Sequence, residues 1–241
     1  MNNQNKKRKI VLKITVIILS ILAVALVCYA FFPLLKNINT EEGRLSFKAK
    51  VNSMGLKGFL LLYLLETVQI LFVVIPGEPI ELLYGMCYGS IKGAIYLTIT
   101  VFLNTIIVYY IVKKFGRKVL DFFFSEEKIK KFEQKEIFNR KDKIEHILTL
   151  LFFLPGTPKD MLLYIGAFLP ISKWKFICIS TFARFPSVIS STLAGANIAV
   201  GDWKLGIILY AIIVIAVAIL AFIYQKFDKE KITSEALKTI K

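Results

Sequence analysis

Apolar runs alternate with shorter polar stretches along nearly the whole chain. The runs occupy residues 10–32, 59–75, 94–112, 147–154, 176–200 and 205–224. A helix needs about 20 mostly apolar residues to cross a bilayer. Four of the runs reach about that length, whereas 59–75 and 147–154 are shorter. The pattern therefore predicts an all-α, polytopic integral membrane protein with spanning helices and two shorter apolar helices.

Both short runs end at the same kind of polar sequence. The first copy reads PGEP and the second PGTP, and an acidic residue, Glu81 or Asp160, lies five positions after the first proline of each. The helix-breaking residues are Pro76, Gly77 and Pro79 in the first copy and Pro155, Gly156 and Pro158 in the second. Prolines and glycines interrupt a helix because they weaken or remove backbone hydrogen bonds. The pattern predicts two re-entrant helical hairpins, whose freed backbone groups are satisfied by protein or water.

The basic residues lie mainly between the apolar runs and give a formal net charge of +15. Cytoplasmic loops carry an excess of lysine and arginine, so the amino end, residues 113–145 and the carboxyl tail are expected in the cytoplasm. If each hairpin returns to its own side, all three segments obey this rule. The two halves are then oppositely oriented, which is an inverted repeat. Nucleic-acid binding is not expected, because it needs basic residues and aromatics interleaved on a folded face.

These elements divide the chain into three parts. Residues 1–58 form an N-terminal anchor helix and an interfacial segment, and residues 205–241 form a C-terminal spanning helix with a basic tail. The central part, 59–200, contains in order a hairpin at 59–91, a span at 94–112, a basic amphipathic cytoplasmic segment at 113–145, a hairpin at 146–171 and a span at 176–200. The expected location is the plasma membrane, with both termini cytoplasmic.

Reactive side chains are few. The single histidine, His146, lies at a predicted membrane boundary, and the three cysteines lie in apolar stretches without disulfide or metal-ligand spacing. No Ser-His-Asp or Cys-His constellation is favoured, and the sequence has no glycine-rich nucleotide loop. We expect a protein that is not an enzyme and that uses no cofactor and no metal.

Four stretches resemble one family of membrane proteins. They are IPGEPIELLYGMCYG with FGRK after the next span, and LPGTPKDMLLYIGAFLPISKWKF with STFARFPSVISSTLAG. Over residues 59–200 the chain is similar to the DedA/VTT-domain family, also called SNARE-associated Golgi proteins, and most similar to its bacterial VTT-domain branch. The resemblance implies two opposed re-entrant hairpins. It also implies movement of lipids between leaflets, of polyprenyl phosphates in bacteria and phospholipids in eukaryotes, with proton-coupled physiology in some bacterial relatives.

The resemblance further implies a set of functional residues. Family function depends on acidic residues in the first hairpin and on arginine in the second half. The matching positions are Glu78, Glu81 and Arg184, with Asp160 as a weaker candidate. DedA-type proteins carry a second arginine soon after the first, and this sequence has serines there.

The half-helices that follow the two turns begin with proline at a favoured position and enter from opposite faces. Their positive N-terminal ends should meet near the membrane midplane and favour an anion. We expect Arg184 and Lys159 to hold a phosphate-bearing head group there. Glu78 and Glu81 are expected to act as proton carriers or gates.

Other polar and small residues have both a structural and a functional interpretation. Glu66 is expected either to join the cavity or to bond a neighbouring helix, and Asp160 either to function or to pair with Arg184. The serines interpreted as helix-packing residues rather than ligands are Ser187, Ser190 and Ser191. The glycines interpreted as permitting close helix approach are Gly85, Gly89, Gly93, Gly166 and Gly195.

Three functions are open at this point. The leading expectation is a transporter that moves a phosphate-bearing lipid, a phospholipid or a polyprenyl phosphate, between leaflets with proton coupling. The alternatives are a proton-coupled small-solute or ion transporter, and a non-transporting protein that organises the membrane. The expected partners are membrane lipids and protons, and a homo-oligomer is compatible with the sequence.

Overall fold

The structure is a computed structural model that describes residues 15, 18, 40–72, 77–123, 144–154 and 157–227. Apart from the isolated residues 15 and 18, this part of the chain forms ten α-helices and no strand. The helices are α1 (Glu41–Ser53), α2 (Leu56–Phe72), α3 (Glu78–Tyr88), α4 (Ser90–Phe115), α5 (Arg117–Phe123), α6 (Ile144–Phe153), α7 (Lys159–Phe168), α8 (Lys173–Phe182), α9 (Phe185–Ala199) and α10 (Trp203–Phe227). The predictions that lie outside the described residues concern most of the anchor helix 10–32, the turn residues Pro76, Pro155 and Gly156, the segment 124–143 and the tail 228–241.

The outer surface of the helices is apolar. Helix α4 exposes Ile91, Ile95 and Ile99, and their four-residue spacing places them on one face. Such a continuous apolar surface marks contact with a membrane. By length and composition, Ser90–Phe115 and the stretch Lys173–Ala199 can cross a bilayer, and the pair α1–α2, bent by 105°, is a third candidate. The prediction of an all-α membrane protein is confirmed.

The span predicted at 176–200 is interrupted in its middle. Helix α8 ends at Phe182, and α9 begins at Phe185 with Pro186 in its first turn. A proline has no N–H to donate, and its ring clashes with the carbonyl group four residues earlier. The helix therefore stops and restarts, and Arg184 lies in the break between α8 and α9.

Helices α2 and α3 form the first hairpin, and helices α6 and α7 form the second. Helix α3 has 11 residues, and α6 and α7 have 10 residues each. At 1.5 Å per residue these helices are about 15 Å long, which is about half of the hydrocarbon thickness of a bilayer. An added Cβ at Gly58, near the start of α2, would lie 3.2 Å from the Tyr88 hydroxyl at the end of α3. The two helices of the first pair therefore run back along each other.

The first hairpin opens beside the beginning of α4. There the Asn52 side chain of α1 donates a hydrogen bond of 2.6 Å to the carbonyl oxygen of Cys87 near the end of α3. Helix α1 is capped at its start by Thr40, whose Oγ1 accepts from the Gly43 N–H at 3.1 Å. It buries Phe47 fully in this part of the molecule. The interfacial helix predicted before the first hairpin thus lies at the hairpin's open end.

The second hairpin opens beside the other end of α4. Lys175 near the start of α8 lies 3.0 Å from Glu145 at the start of α6. Lys173 contacts the hydroxyl of Tyr110, in the last two turns of α4. Because the two hairpins open at opposite ends of α4, the two halves form the predicted inverted repeat.

Helices α3 and α9 cross with their backbones almost in contact. A Cβ added to Gly85 would lie 2.1 Å from the Thr192 carbonyl oxygen, and one added to Gly195 would lie 2.1 Å from the Leu82 carbonyl oxygen. The expectation of close approach is confirmed for these two glycines and is wrong for Gly89, which has no atom within 4 Å of an added Cβ. Gly89 has a φ of +79°, a conformation that favours glycine, and it separates α3 from α4.

Candidate functional site

The structure brings all six predicted site residues into one region. Glu66 comes from α2, Glu78 and Glu81 from α3, Lys159 and Asp160 from α7, and Arg184 from the break between α8 and α9. Four of these groups act electrostatically on both Glu66 and Lys159, and they are Glu78, Glu81, Asp160 and Arg184. We call these six residues the charged cluster. They are Glu66, Glu78, Glu81, Lys159, Asp160 and Arg184.

Asp160 connects the tips of the two hairpins. One of its carboxylate oxygens accepts a hydrogen bond of 2.7 Å from the Gln69 side chain of α2. The other lies 3.4 Å from a terminal nitrogen of Arg184. Because both hairpins contribute to this contact, Asp160 has the structural role that the sequence left open. The contact also shows that the hairpin tips meet inside the molecule.

Arg184 is buried, and only part of its hydrogen-bonding capacity is used. Its guanidinium lies 5.3 Å from the centre of the Phe152 ring, a favourable cation–π distance. The contact with Asp160 involves one nitrogen, and the buried Nε has no hydrogen-bond partner among the described residues. A planar guanidinium can bind a second acceptor through such a free donor.

Glu81 is held by a residue that the sequence analysis assigned to packing. The Ser191 hydroxyl of α9 donates a hydrogen bond of 2.7 Å to a Glu81 carboxylate oxygen. Both side chains are buried. Ser191 therefore belongs to the site as well as to the α3–α9 contact. The residues Ser187 and Ser190 line a neighbouring cavity.

Glu66 is the most deeply buried acid of the charged cluster, with 1% of its surface exposed. Its Oε2 has no hydrogen-bond partner in the part of the chain that the structure describes. The adjacent Thr67 donates a hydrogen bond of 2.8 Å to Asn104 of α4, so buried polar groups continue beyond Glu66. Four carboxyl groups in the charged cluster face two cations.

A small cavity lies where the N-termini of three helices converge. Glu78 is the first residue of α3, Lys159 is the first residue of α7, and Ser187 lies in the first turn of α9. No described side chain caps the N-terminus of any of these three helices. Helix N-termini carry partial positive charge on their unpaired N–H groups. Together with Lys159 they favour an anion in the cavity, and the Glu78 carboxylate on its lining opposes one.

A family model described as the VTT domain matches residues 75–197, slightly more than half of the chain. The chain belongs to the VTT-domain family. This confirms the resemblance to the DedA/VTT family. Comparisons with curated proteins and with solved structures give no match. The matched residues extend from the first hairpin turn to the end of α9, so the VTT domain holds five residues of the charged cluster and excludes Glu66.

Helix α10 supplies a residue that the sequence analysis missed. Tyr210 lines the cavity beside Glu78 and Lys159, although it lies outside the VTT domain. The sequence analysis interpreted 205–224 as an apolar span only. The sequence did contain a signal for this residue. Tyr210 is the only residue with a polar side-chain atom between Gly206 and Leu220.

The described residues contain no group of three histidine, cysteine or acidic side chains arranged to hold a metal ion. The chemistry of the site, in the part of the chain that the structure describes, comes from charge, hydroxyl groups and helix N-termini.

Proposed function

We propose that this VTT-domain protein moves a phosphate-bearing lipid, a phospholipid or a polyprenyl phosphate, between the two leaflets of the membrane. The observation that carries the proposal is the convergence of the N-termini of α3, α7 and α9 beside Lys159. A phosphate crossing the bilayer needs positive charge and hydrogen-bond donors in place of water. The three helix ends and Lys159 supply both.

Arg184 supplies a second contact for the phosphate. Its buried Nε has no hydrogen-bond partner within the described ranges, and its guanidinium is held on one side by Asp160 and on another by the Phe152 ring. A guanidinium fixed in this way can bind a phosphate oxygen with little further ordering. In the proposed cycle, a phosphate approaches Arg184 and Lys159 together while Asp160 keeps Arg184 in place.

An apolar groove beside the charged cluster supports a lipid rather than a small solute as the substrate. The groove lies between α4 and α9, and its lining includes Phe185, next to Arg184, and Ile99 of α4. An acyl chain could lie in this groove while the head group is in contact with the charged cluster. A soluble anion would gain nothing from such a surface.

The excess of carboxyl groups favours proton coupling. A buried acid that is neutral can release its proton when a cation approaches or departs. Glu66 and Glu81 are the buried acids of the charged cluster. The same excess of acids favours a second candidate function, proton-coupled transport of a small solute or ion without lipid movement.

The test is leaflet exchange in liposomes that contain the purified full-length protein and a fluorescent phospholipid or polyprenyl phosphate. Charge-assisted hydrogen bonds contribute about 1.5–3 kcal/mol, so Arg184→Ala should slow exchange about tenfold or more. Lys204→Ala is the control, because Lys204 is exposed at the start of α10 and away from the cavity lining. Exchange that is unchanged by Arg184→Ala would disprove the head-group role. Proton-driven solute uptake without lipid exchange would favour the second function.

A further inference from the structure

Helix α10 has an apolar surface with one polar exception. Its residues Ile208, Ile212 and Ile215 are more than half exposed, as expected of a helix in contact with lipid. The side that faces the cavity presents Tyr210, Ile213, Val214 and Val217, which recur at the spacing of one helix face. The one polar side chain of this stretch therefore lies at the charged cluster and not in the lipid.

The cavity that Tyr210 borders is polar and small. Its lining includes the charged groups of Glu78 and Lys159 and the hydroxyl groups of Ser187 and Ser190. Its volume of about 20 Å³ is sufficient for one or two water molecules. A cavity of this size holds water when two or more polar groups can bond to it, and these side chains meet that condition.

Water in the cavity can solvate the two charged side chains that line it, Lys159 and Glu78. Within the described part of the chain, neither the Lys159 ammonium nor the Glu78 carboxylate has a hydrogen bond or an ion pair. Charged side chains at membrane depth are accompanied by a partner or by water. Neighbouring carboxylates attract Lys159 without pairing with it, and Glu78 is exposed, so water in the cavity adds to the stabilisation of these two charges.

We propose that the cavity is a water-binding port through which solvent and protons reach the charged cluster, and that Tyr210 and Val214 of α10 form its wall. The Tyr210 hydroxyl binds the water at the polar side of the port, and Val214 limits its width. The port lies at the proposed head-group site, but it exists whether or not a lipid is moved. The VTT domain alone does not form it, because α10 lies outside the matched residues.

The test measures the access of water to the port by cysteine labelling. Ser187→Cys is introduced into full-length protein in which Cys28, Cys87 and Cys178 are replaced by alanine. The protein is reconstituted in liposomes and treated with a charged, water-soluble methanethiosulfonate, which is larger than the port and reaches Ser187→Cys at the outer rim, where Ser187 is partly exposed. Because the reagent needs a hydrated thiolate, Ser187→Cys should react about tenfold faster or more than Ile189→Cys, which is exposed on the apolar groove.

A second pair of variants tests the wall. Val214→Trp fills the port and should slow the labelling of Ser187→Cys about tenfold. Ile215→Trp, the matched control on the lipid-facing side of α10, should leave the rate unchanged. Tyr210→Ala removes part of the wall and should therefore raise the labelling rate of Ser187→Cys.

Two results would overturn the proposal. One is labelling of Ser187→Cys that is no faster than that of Ile189→Cys in folded protein, while both react after denaturation. The other is an equal effect of Val214→Trp and Ile215→Trp. Labelling needs no lipid exchange, so the port and the proposed lipid movement can fail separately.

Discussion

Arg184 lies in the short break between α8 and α9, just before Pro186. Its side chain is buried there and reaches Asp160 and the Phe152 ring. The sequence identified the residue, and only the structure showed that its side chain is buried.

At the scale of residues, we predict that Asp160 and Arg184 are coupled in stability. Removing either partner leaves a buried or half-buried charge without its partner, so Asp160→Asn and Arg184→Ala should each destabilise the protein. The loss of unfolding free energy in the double variant should be smaller than the sum of the two single losses by about 1 kcal/mol or more. Unfolding free energies from denaturant titration in detergent micelles provide the measurement.

A matched control for this cycle is the exposed pair Lys175 and Glu145. Exposed ion pairs contribute about 0–1 kcal/mol, so this second cycle should show little coupling. Strict additivity of Asp160→Asn and Arg184→Ala would show that the two side chains do not interact in the membrane protein.

At the scale of elements, the contact between α3 and α9 holds the site together. It places Glu81 of α3 against Ser191 of α9, and it depends on glycines where a Cβ has no space. Small residues let membrane helices approach until their backbones are in contact. The helix that carries two acids of the charged cluster is therefore fixed by residues that carry no charge.

We predict that Gly85→Ala lowers stability and exchange activity together. The added Cβ would lie 2.1 Å from the Thr192 carbonyl oxygen, and a backbone atom cannot move aside without separating the helices. Overpacking of this kind costs about 1–3 kcal/mol and outweighs the gain of about 1 kcal/mol in helix propensity. Thermal unfolding in detergent, together with leaflet exchange, measures both effects.

Gly166→Ala is the comparison for Gly85→Ala. The three atoms nearest to its added Cβ are side-chain atoms of Phe176 and Leu148, the closest at 2.8 Å. Side chains can adjust where a backbone cannot, so the loss of stability should be smaller. A loss equal to that of Gly85→Ala would argue against the backbone contact as the cause.

At the scale of the whole molecule, the opposed hairpins predict a definite topology. The structure places the C-terminal end of α4 together with the starts of α6 and α8. It places α1 at the N-terminal end of α4. The positive-inside rule assigns the first of these ends to the cytoplasm. The orientation itself is still a prediction, because the structure contains no membrane.

We predict that Lys118→Cys is cytoplasmic and that Lys204→Cys is extracellular. Both positions are exposed, the first on α5 and the second at the start of α10. In a variant without native cysteines, an impermeant thiol reagent should label Lys204→Cys in intact cells and Lys118→Cys only after permeabilisation. Labelling of both from the same side would contradict the opposed arrangement of the two halves.

The sequence by itself determined the architecture and most of the charged cluster. Helix-breaking residues and apolar run lengths act locally, and the distribution of basic residues reports the sidedness of each loop. These patterns predicted two opposed hairpins from the PGEP and PGTP motifs, and together with the family resemblance they led to the residues of the charged cluster. None of these conclusions required knowledge of which helix faces meet.

The tertiary structure decided how those residues are used. Asp160 joins Gln69 and Arg184, Ser191 holds Glu81, and Tyr210 reaches the cavity from a helix outside the VTT domain. Each of these contacts joins side chains far apart in the sequence. The physical reason is that such partners depend on the relative rotation and crossing of distant helices, which packing sets and local sequence patterns do not encode.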